Sequence, residues 1–194
     1  MAINLVKGQR VGLDKSLKIA LVGLGWDTNK YDGGHDFDLD ASAFLLNSDG
    51  KLIKDEDFVF YNNLIGRDGA VVHTGDNLTG EGDGDDEVIM INFDKMPSDI
   101  AKVAIVVTIH DAENRKQNFG QVSNAYIRIA KCEDEFDTVG EPMLRFDLEE
   151  EFSIETALVV AEIYKKNGEW KFNAVAAGYE GGLEAIVRSF GGNV

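Results

Sequence analysis

Ten short runs of β-branched and aromatic residues, bounded by Gly, Asn and Asp, leave this 194-residue chain few architectures. They occupy 19–24, 41–46, 57–62, 70–73, 87–93, 102–109, 124–130, 143–148, 156–165 and 169–177. Three dipeptides, Asp49-Gly50, Asp68-Gly69 and Asn167-Gly168, supply the positive-φ residues that tight hairpin turns need, so neighbouring strands are predicted to run antiparallel. A helical period is strong at one place, near the end. There Leu183, Ile186, Val187 and Phe190 fall at i, i+3, i+4 and i+7, and Gly191 follows as a C-terminal cap. Ser98 to Lys102 is read as one further turn. An α/β fold would need helical crossovers between strands, and the chain lacks them. The expectation is an all-β, mostly antiparallel two-sheet sandwich with a short peripheral C-terminal helix. With no linker, low-complexity tract or repeat, it is read as one domain over 1–194.

The charge narrows the partners. There are 35 Asp plus Glu against 19 Lys plus Arg, a formal net charge of −16. Nucleic-acid phosphates and anionic lipid heads repel such a surface, so direct nucleic-acid binding is not expected. No run reaches the roughly 18 apolar residues of a membrane span, and no secretory apolar region opens the chain. A single cysteine, Cys132, cannot form an internal bridge and reads as a structural thiol. The expected setting is the cytoplasm.

The acids are concentrated. Residues 27–40 hold five Asp and residues 76–87 hold six acidic groups, and both blocks run into strands. Alternation predicts that Asp36, Asp38 and Asp40 share one face of a strand whose other face carries Phe37, Leu39 and Ala41. Asp111 is in phase with Val103, Ile105, Val107 and Ile109, which would project it at the rim of the sandwich. Carboxylates about 4 Å apart repel by roughly 1 kcal/mol per pair even in water. A divalent cation would resolve that conflict. Oxygen-only donors favour Ca²⁺ or Mg²⁺, and the mixture of carboxylates, Asn and glycine-freed carbonyls in 75–87 favours Ca²⁺, which takes 6–8 oxygens in flexible geometry. The spacing does not match an EF-hand, so a rim site on a β scaffold is predicted.

Other chemistry has weaker support. The Gly-rich runs at 23–25 and 80–84 neither carry a lysine nor open a helix, as phosphate loops do. His110 and Asp111, adjacent on a predicted strand, would face opposite sides. His73 reads as an ordinary surface histidine, with a supporting contact to Asp76 as the other reading. Trp26 and the segment from Trp170 to Phe172 read as core or its edge. Spacing alone does not separate a Ca²⁺ cluster from the paired carboxylates of a hydrolase.

Several of these runs resemble a known family. Gly23-Leu24-Gly25-Trp26-Asp27, the stretch Asp36 to Phe44, Phe58 to Asn63, Gly75-Asp76-Asn77 and Gly84 to Glu87 are similar to the TerD-like tellurium-resistance and general stress proteins of bacteria. So are Phe119-Gly120-Gln121-Val122, Arg145 to Leu148 and Trp170-Lys171-Phe172. The resemblance implies a cytoplasmic β-sandwich that binds two or more Ca²⁺ ions, with no established catalytic activity. It places the ligands among Asp27, Asp38, Asp40, Asp76, Asn77, Thr79, Gly82, Asp83, Asp85, Asp86, Glu87 and Asp111. It also implies partner proteins of the same stress-resistance system, and leaves oligomeric state open. The alternative is a metal-dependent enzyme acting on a phosphorylated or other anionic substrate, with an open position on the same ion.

Overall fold

The computed structural model describes residues 2–28, 35–75, 77–80, 84–148 and 154–193. Their strands form two sheets. Sheet A is built from β1 (Ile3–Asn4), β3 (Ile19–Gly25), β6 (Ile65–Gly66), β7 (Val71–His73), β8 (Glu87–Asn92), β10 (Tyr126–Cys132) and β11 (Glu141–Asp147), in the order β1-β11-β10-β3-β8-β7-β6. Sheet B contains β2 (Arg10–Gly12), β4 (Leu39–Leu46), β5 (Phe58–Val59), β9 (Lys102–Ile109), β12 (Ala157–Lys166) and β13 (Glu169–Tyr179), in the order β2-β13-β12-β9-β4-β5. Every pairing is antiparallel except β1 with β11. The sandwich expected from the sequence is the observed one.

Alternation explains the layers. Along β9, Val103, Ile105 and Val107 enter the core between the sheets, while Ala104 and Val106 face the other way. That outer face is also buried. Helix α2 (Gly182–Ser189; the four-residue α1, Ala112–Arg115, precedes it in the chain) lays Ile186 and Val187 over Phe44, Leu46, Ala104, Val106, Ala157 and Val159. An apolar stripe at helical spacing thereby covers part of the outer face of sheet B, and β4 is buried along its full length. Gly191, at φ 83°, ends α2, and Gly192 N donates to Val187 O at 2.9 Å, the capping bond expected there.

The turn dipeptides behave in three ways. Asn167-Gly168, both with positive φ, forms the two-residue hairpin between β12 and β13. Asp68-Gly69 belongs to a longer connection, Arg67 to Ala70, between β6 and β7. Asp49-Gly50 lies in the long link from β4 to β5, where the Asn47 side chain accepts from Asp49 N and Lys51 N. Ser98 and Asp99 form a turn, and Lys102 already opens β9. The edge strands β1, β2 and β6, two or three residues each, are additional to the sequence reading.

Candidate metal centre

Both acidic segments emerge at the end of the sandwich where β3 and β9 finish and β4 and β8 begin. At the end of β3, Trp26 is buried, and its indole Nε1 donates to Phe37 O at 3.0 Å, which ties the segment before β4 to the tip of β3. Trp26 N donates to Asp86 Oδ2 at 2.9 Å. Asn77 Oδ1 accepts from the backbone N–H of Thr79 and Gly80, at 3.1 and 3.2 Å, and folds residues 77–80 into a turn. The other end of the same amide, Nδ2, donates to Asp86 Oδ1 at 3.0 Å. Gly80 has φ 70°, and a Cβ there would lie 2.4 Å from the Trp26 Nε1, so the turn closes over the indole because this residue has no side chain.

Asp27 completes this group. Its N–H donates to Ser123 O, and Oδ2 accepts from Asn124 Nδ2 at 2.7 Å. Burial pushes the Asp86 carboxyl above the ordinary carboxylate range. The Trp26 N–H opposes that rise, while the charges of Asp85 and Asp27 add to it. Burial and the neighbouring acids thus disfavour the charged form of Asp86.

Asp85 turns the other way. It lies flat on the outer face of sheet A, with its carboxylate accepting from Arg128 Nε at 2.8 and 2.7 Å and with Arg128 Nη2 at 2.6 Å. Tyr126 Oη donates to Gly84 O at 2.8 Å and reaches Asp85 Oδ1 at 3.2 Å. Gly23 gives the carboxylate room, since a Cβ there would fall 2.2 Å from Asp85 Oδ2.

Glu87 points into the sandwich. Its Oε2 accepts from Ala41 N at 2.6 Å and lies 3.4 Å from His73 Nε2, with both side chains fully buried. Strand β5 pairs with β4 at Ala43 and Phe44, so at Ala41 the carboxylate of β8 takes the place of a neighbouring strand. His73 is thus not the surface residue that its sequence context suggested. It shares the inward face of β7 with Val71, and its Nδ1 accepts from Gly75 N at 3.3 Å, which leaves the proton on Nε2 toward Glu87. Truncating Glu87 to Ala leaves the Ala41 N–H unpaired. The expected loss is about 1–3 kcal/mol in urea denaturation, with Glu87→Gln recovering most of it. An Ala variant as stable as the parent would contradict this role.

The remaining acids sit where β4 begins and β9 ends, strands paired as Leu39 with Ile109 and Asp40 with Thr108. Asp38 and Asp40 are buried and Asp36 is exposed. The predicted three-carboxylate face is therefore broken, because β4 starts at Leu39. Asp38 Oδ2 lies 3.4 Å from Arg115 Nη1, and Asp40 Oδ2 lies 3.7 Å from His110 Nδ1. Strand β9 stops at Ile109, so the phase predicted for Asp111 is lost. Asp111 takes a left-handed conformation at φ 52°, is exposed, and accepts from Asn114 Nδ2 at 2.6 Å.

Among the described residues, no three His, Cys, Asp or Glu side chains form a group that could hold a metal. Asp76, Gly82 and Asp83 of the predicted set lie outside the described residues. The structure thus brings Asp27, Asn77, Thr79 and Asp86 together around Trp26, and Asp38, Asp40 and Asp111 at the ends of β4 and β9. It places Asp85 and Glu87 elsewhere. Trp26, Asn124, Arg115, Tyr126 and Arg128 were absent from the sequence-based set. The alternation of Tyr126-Ile127-Arg128-Ile129 does put Arg128 on an outward face, but its partner is 43 residues away.

A mostly antiparallel β-sandwich with a group of carboxylates at one end and, among the described residues, one amphipathic helix laid on one face defines the class. The TerD domain matches residues 1–190, and the chain belongs to the TerD family. It is 59% identical over 194 residues to the uncharacterized protein YceE of Bacillus subtilis, covering 98% of each chain. It is 56% identical over 194 residues to general stress protein 16U of the same bacterium, again covering 98% of each. Identity to the tellurium resistance protein TerD of Serratia marcescens is 53% over 196 residues, covering 100% of this chain and 99% of the relative. A crystal structure of a protein of unknown function, SAV2460, shares the fold at TM-score 0.74 and 23% identity, covering 93% of this chain and all of the other. A homologue of telluride resistance protein from Streptomyces coelicolor A3(2) does so at TM-score 0.66 and 24% identity, covering 88% and 95%. The chain is thus of the tellurium-resistance and stress-protein kind. No helix among its described residues is long and apolar enough to cross a membrane.

Proposed function

We propose that this chain is a Ca²⁺-binding stress-response protein of the cytoplasm, which acts without catalysis as a binding module for other proteins of its resistance system. One observation carries the metal. Asp86 is partly buried and held by Trp26 N and Asn77 Nδ2 beside a turn closed over Trp26, with its carboxyl pushed up by burial and by the charges of Asp85 and Asp27. The donors present are oxygens, which fits a hard cation and not a thiolate-seeking one.

In this reading Asp27 and Asp86 hold one ion together with Asp76, Asn77, Thr79, Gly82 and Asp83 of the same loop. Asp38, Asp40 and Asp111, which do not form a metal-holding group by themselves, contribute to a second ion only together with oxygens from other residues. Asp85 and Glu87 anchor the two ends of the acidic strand entry, one to Arg128 and one to Ala41. Bound Ca²⁺ would supply charge neutralisation and fix the loops. The names of the relatives support the stress context, since they include a general stress protein and a tellurium resistance protein. Calorimetric titration of the chelator-treated protein is expected to show Ca²⁺ binding, with Mg²⁺ weaker because it prefers a small octahedron and retained water. The absence of any Ca²⁺ heat at millimolar concentration would overturn the reading.

A further inference from the structure

The connection from β10 to β11, residues 133–140, sends two large apolar side chains into water: Phe136 is 88% exposed and Val139 is 70% exposed. Lone exposed apolar residues are ordinary on a protein surface. These two share one eight-residue connection, and the connection is braced to hold them out. The Asp137 carboxylate accepts from the N–H groups of Gly140, Val139 and Glu133, at 2.9, 3.2 and 3.3 Å, and these bonds hold it below the usual carboxylate range. Asp134 Oδ1 accepts from Phe136 N at 2.8 Å. Cys132 Sγ donates to Asp137 O, and burial pushes that thiol up to about 11, so it remains protonated at neutral pH.

Three further contacts fasten the loop to sheet A. Glu135 accepts from Asn92 Nδ2 and Lys95 Nζ at the end of β8. Gly140 packs so closely that a Cβ would lie 2.7 Å from the Ala130 Cβ. Arg128 Nη1 donates to Val139 O at 2.9 Å while its other nitrogens hold Asp85. The segment 133–141 contains Glu133, Asp134, Glu135, Asp137 and Glu141 and no basic residue.

We propose that this loop is the surface through which the chain docks a partner protein, and that the partner presents an apolar pocket ringed by Lys or Arg side chains. The proposal rests on the binding-module reading and names where that module binds. Aromatic side chains that enter a pocket are the usual anchors of an interface. Here the loop backbone is already braced by Asp134 and Asp137, so docking does not pay to fix it. The five acids select a basic rim and steer it in. Because one Arg128 side chain holds both Asp85 and Val139, the docking loop is mechanically joined to the acidic strand entry.

The test replaces Phe136 by the photo-crosslinking residue p-benzoylphenylalanine in the full chain, with a second protein carrying it at exposed Lys166 as the control. Both are irradiated in the cells that produce them, and the attached partner peptide is read by mass spectrometry. The expected result is a discrete adduct from position 136, absent from position 166, whose attached peptide carries Lys or Arg beside apolar residues. With that partner purified, Phe136→Ala is expected to weaken binding at least tenfold while leaving the melting temperature unchanged, and added salt to weaken it further. A discrete adduct from position 166 alone would keep a binding module and overturn this surface. No adduct from either position would overturn both. An attached peptide that is acidic, or affinity unchanged by Phe136→Ala, would also overturn the docking surface.

Discussion

Replacing Asp57 by Ala should destabilise the fold by about 3–5 kcal/mol, the range for breaking a buried ion pair from one side. Asp57 is fully buried. Its Oδ2 accepts from Arg67 Nη2 at 3.0 Å, Lys54 N at 3.0 Å and Ile53 N at 3.2 Å, and Oδ1 accepts from Arg67 Nε. Arg67 is itself buried and passes a third bond to Asp99 Oδ2 at 2.9 Å. Three separate connections therefore meet on one guanidinium, at the end of the sandwich away from the acidic rim. The chain passes through Arg67, Asp68 and Gly69 with φ of 44, 55 and 85°, a left-handed run that the ion pair holds in place. The truncation leaves a buried cation without its main counter-charge, and two backbone N–H groups without an acceptor. In a chain of this size the melting temperature should fall by roughly 10 °C, at about 2–4 °C per kcal/mol.

The comparison variants separate charge from packing. Asp57→Asn keeps an acceptor for the backbone groups and should fall between parent and Ala. Glu184→Ala removes an ion pair to Arg188 in which both side chains are more than half exposed, and should change stability by less than about 1 kcal/mol. Thermal or urea denaturation of the set decides the matter. If Asp57→Ala unfolds within 1 kcal/mol of the parent, the knot is not what joins these connections.

The Arg67 knot shows where sequence reading ends. Period-two alternation located ten of the strands, because each strand carries its own pattern, and the stripe of Leu183, Ile186, Val187 and Phe190 located α2. What covers β4 was not legible. Its outward residues Phe44 and Leu46 are buried by a helix that arrives well over a hundred residues later. Short edge strands such as Ile65–Gly66 carry too few residues to show a period. For the same reason, the acidic blocks were visible as blocks, while the division of labour inside Asp85-Asp86-Glu87 was not. Three adjacent acids alternate among an outer sheet face, the rim and the core, and their partners Arg128, Trp26 and Ala41 come from three other strands or strand ends. His73 was misread because a histidine followed by Thr-Gly-Asp looks like a strand end in water. Its inward position is set by the pairing of β7 with β8, with His73 opposite Ile89.

That division of labour makes Asp86→Asn the sharpest test of the metal centre, since its effects with and without Ca²⁺ should differ. In the chelator-treated protein the Asp86 carboxyl is raised above its unfolded value. Between those two values the folded state holds more protons than the unfolded one, so this group's ionisation opposes folding as pH rises to neutrality. Asn removes that opposition and can still accept from Trp26 N, at the expense of the bond to Asn77 Nδ2. The two changes offset each other, and without metal the variant should stay within about 1 kcal/mol of the parent. With Ca²⁺ at one hundred times its dissociation constant, the parent should gain about 2.7 kcal/mol per independent site, roughly 5–10 °C in melting temperature. The variant should lose the share that belongs to the site around Trp26, because a neutral amide supplies one oxygen without charge where a carboxylate supplied two with it. Asp85→Asn should do the reverse. It weakens the Arg128 anchor and so lowers stability with or without Ca²⁺, yet leaves the size of the Ca²⁺ response near that of the parent. A Ca²⁺-induced rise that survives in Asp86→Asn, or that disappears in Asp85→Asn while the protein remains folded, would reverse the roles assigned to these neighbours.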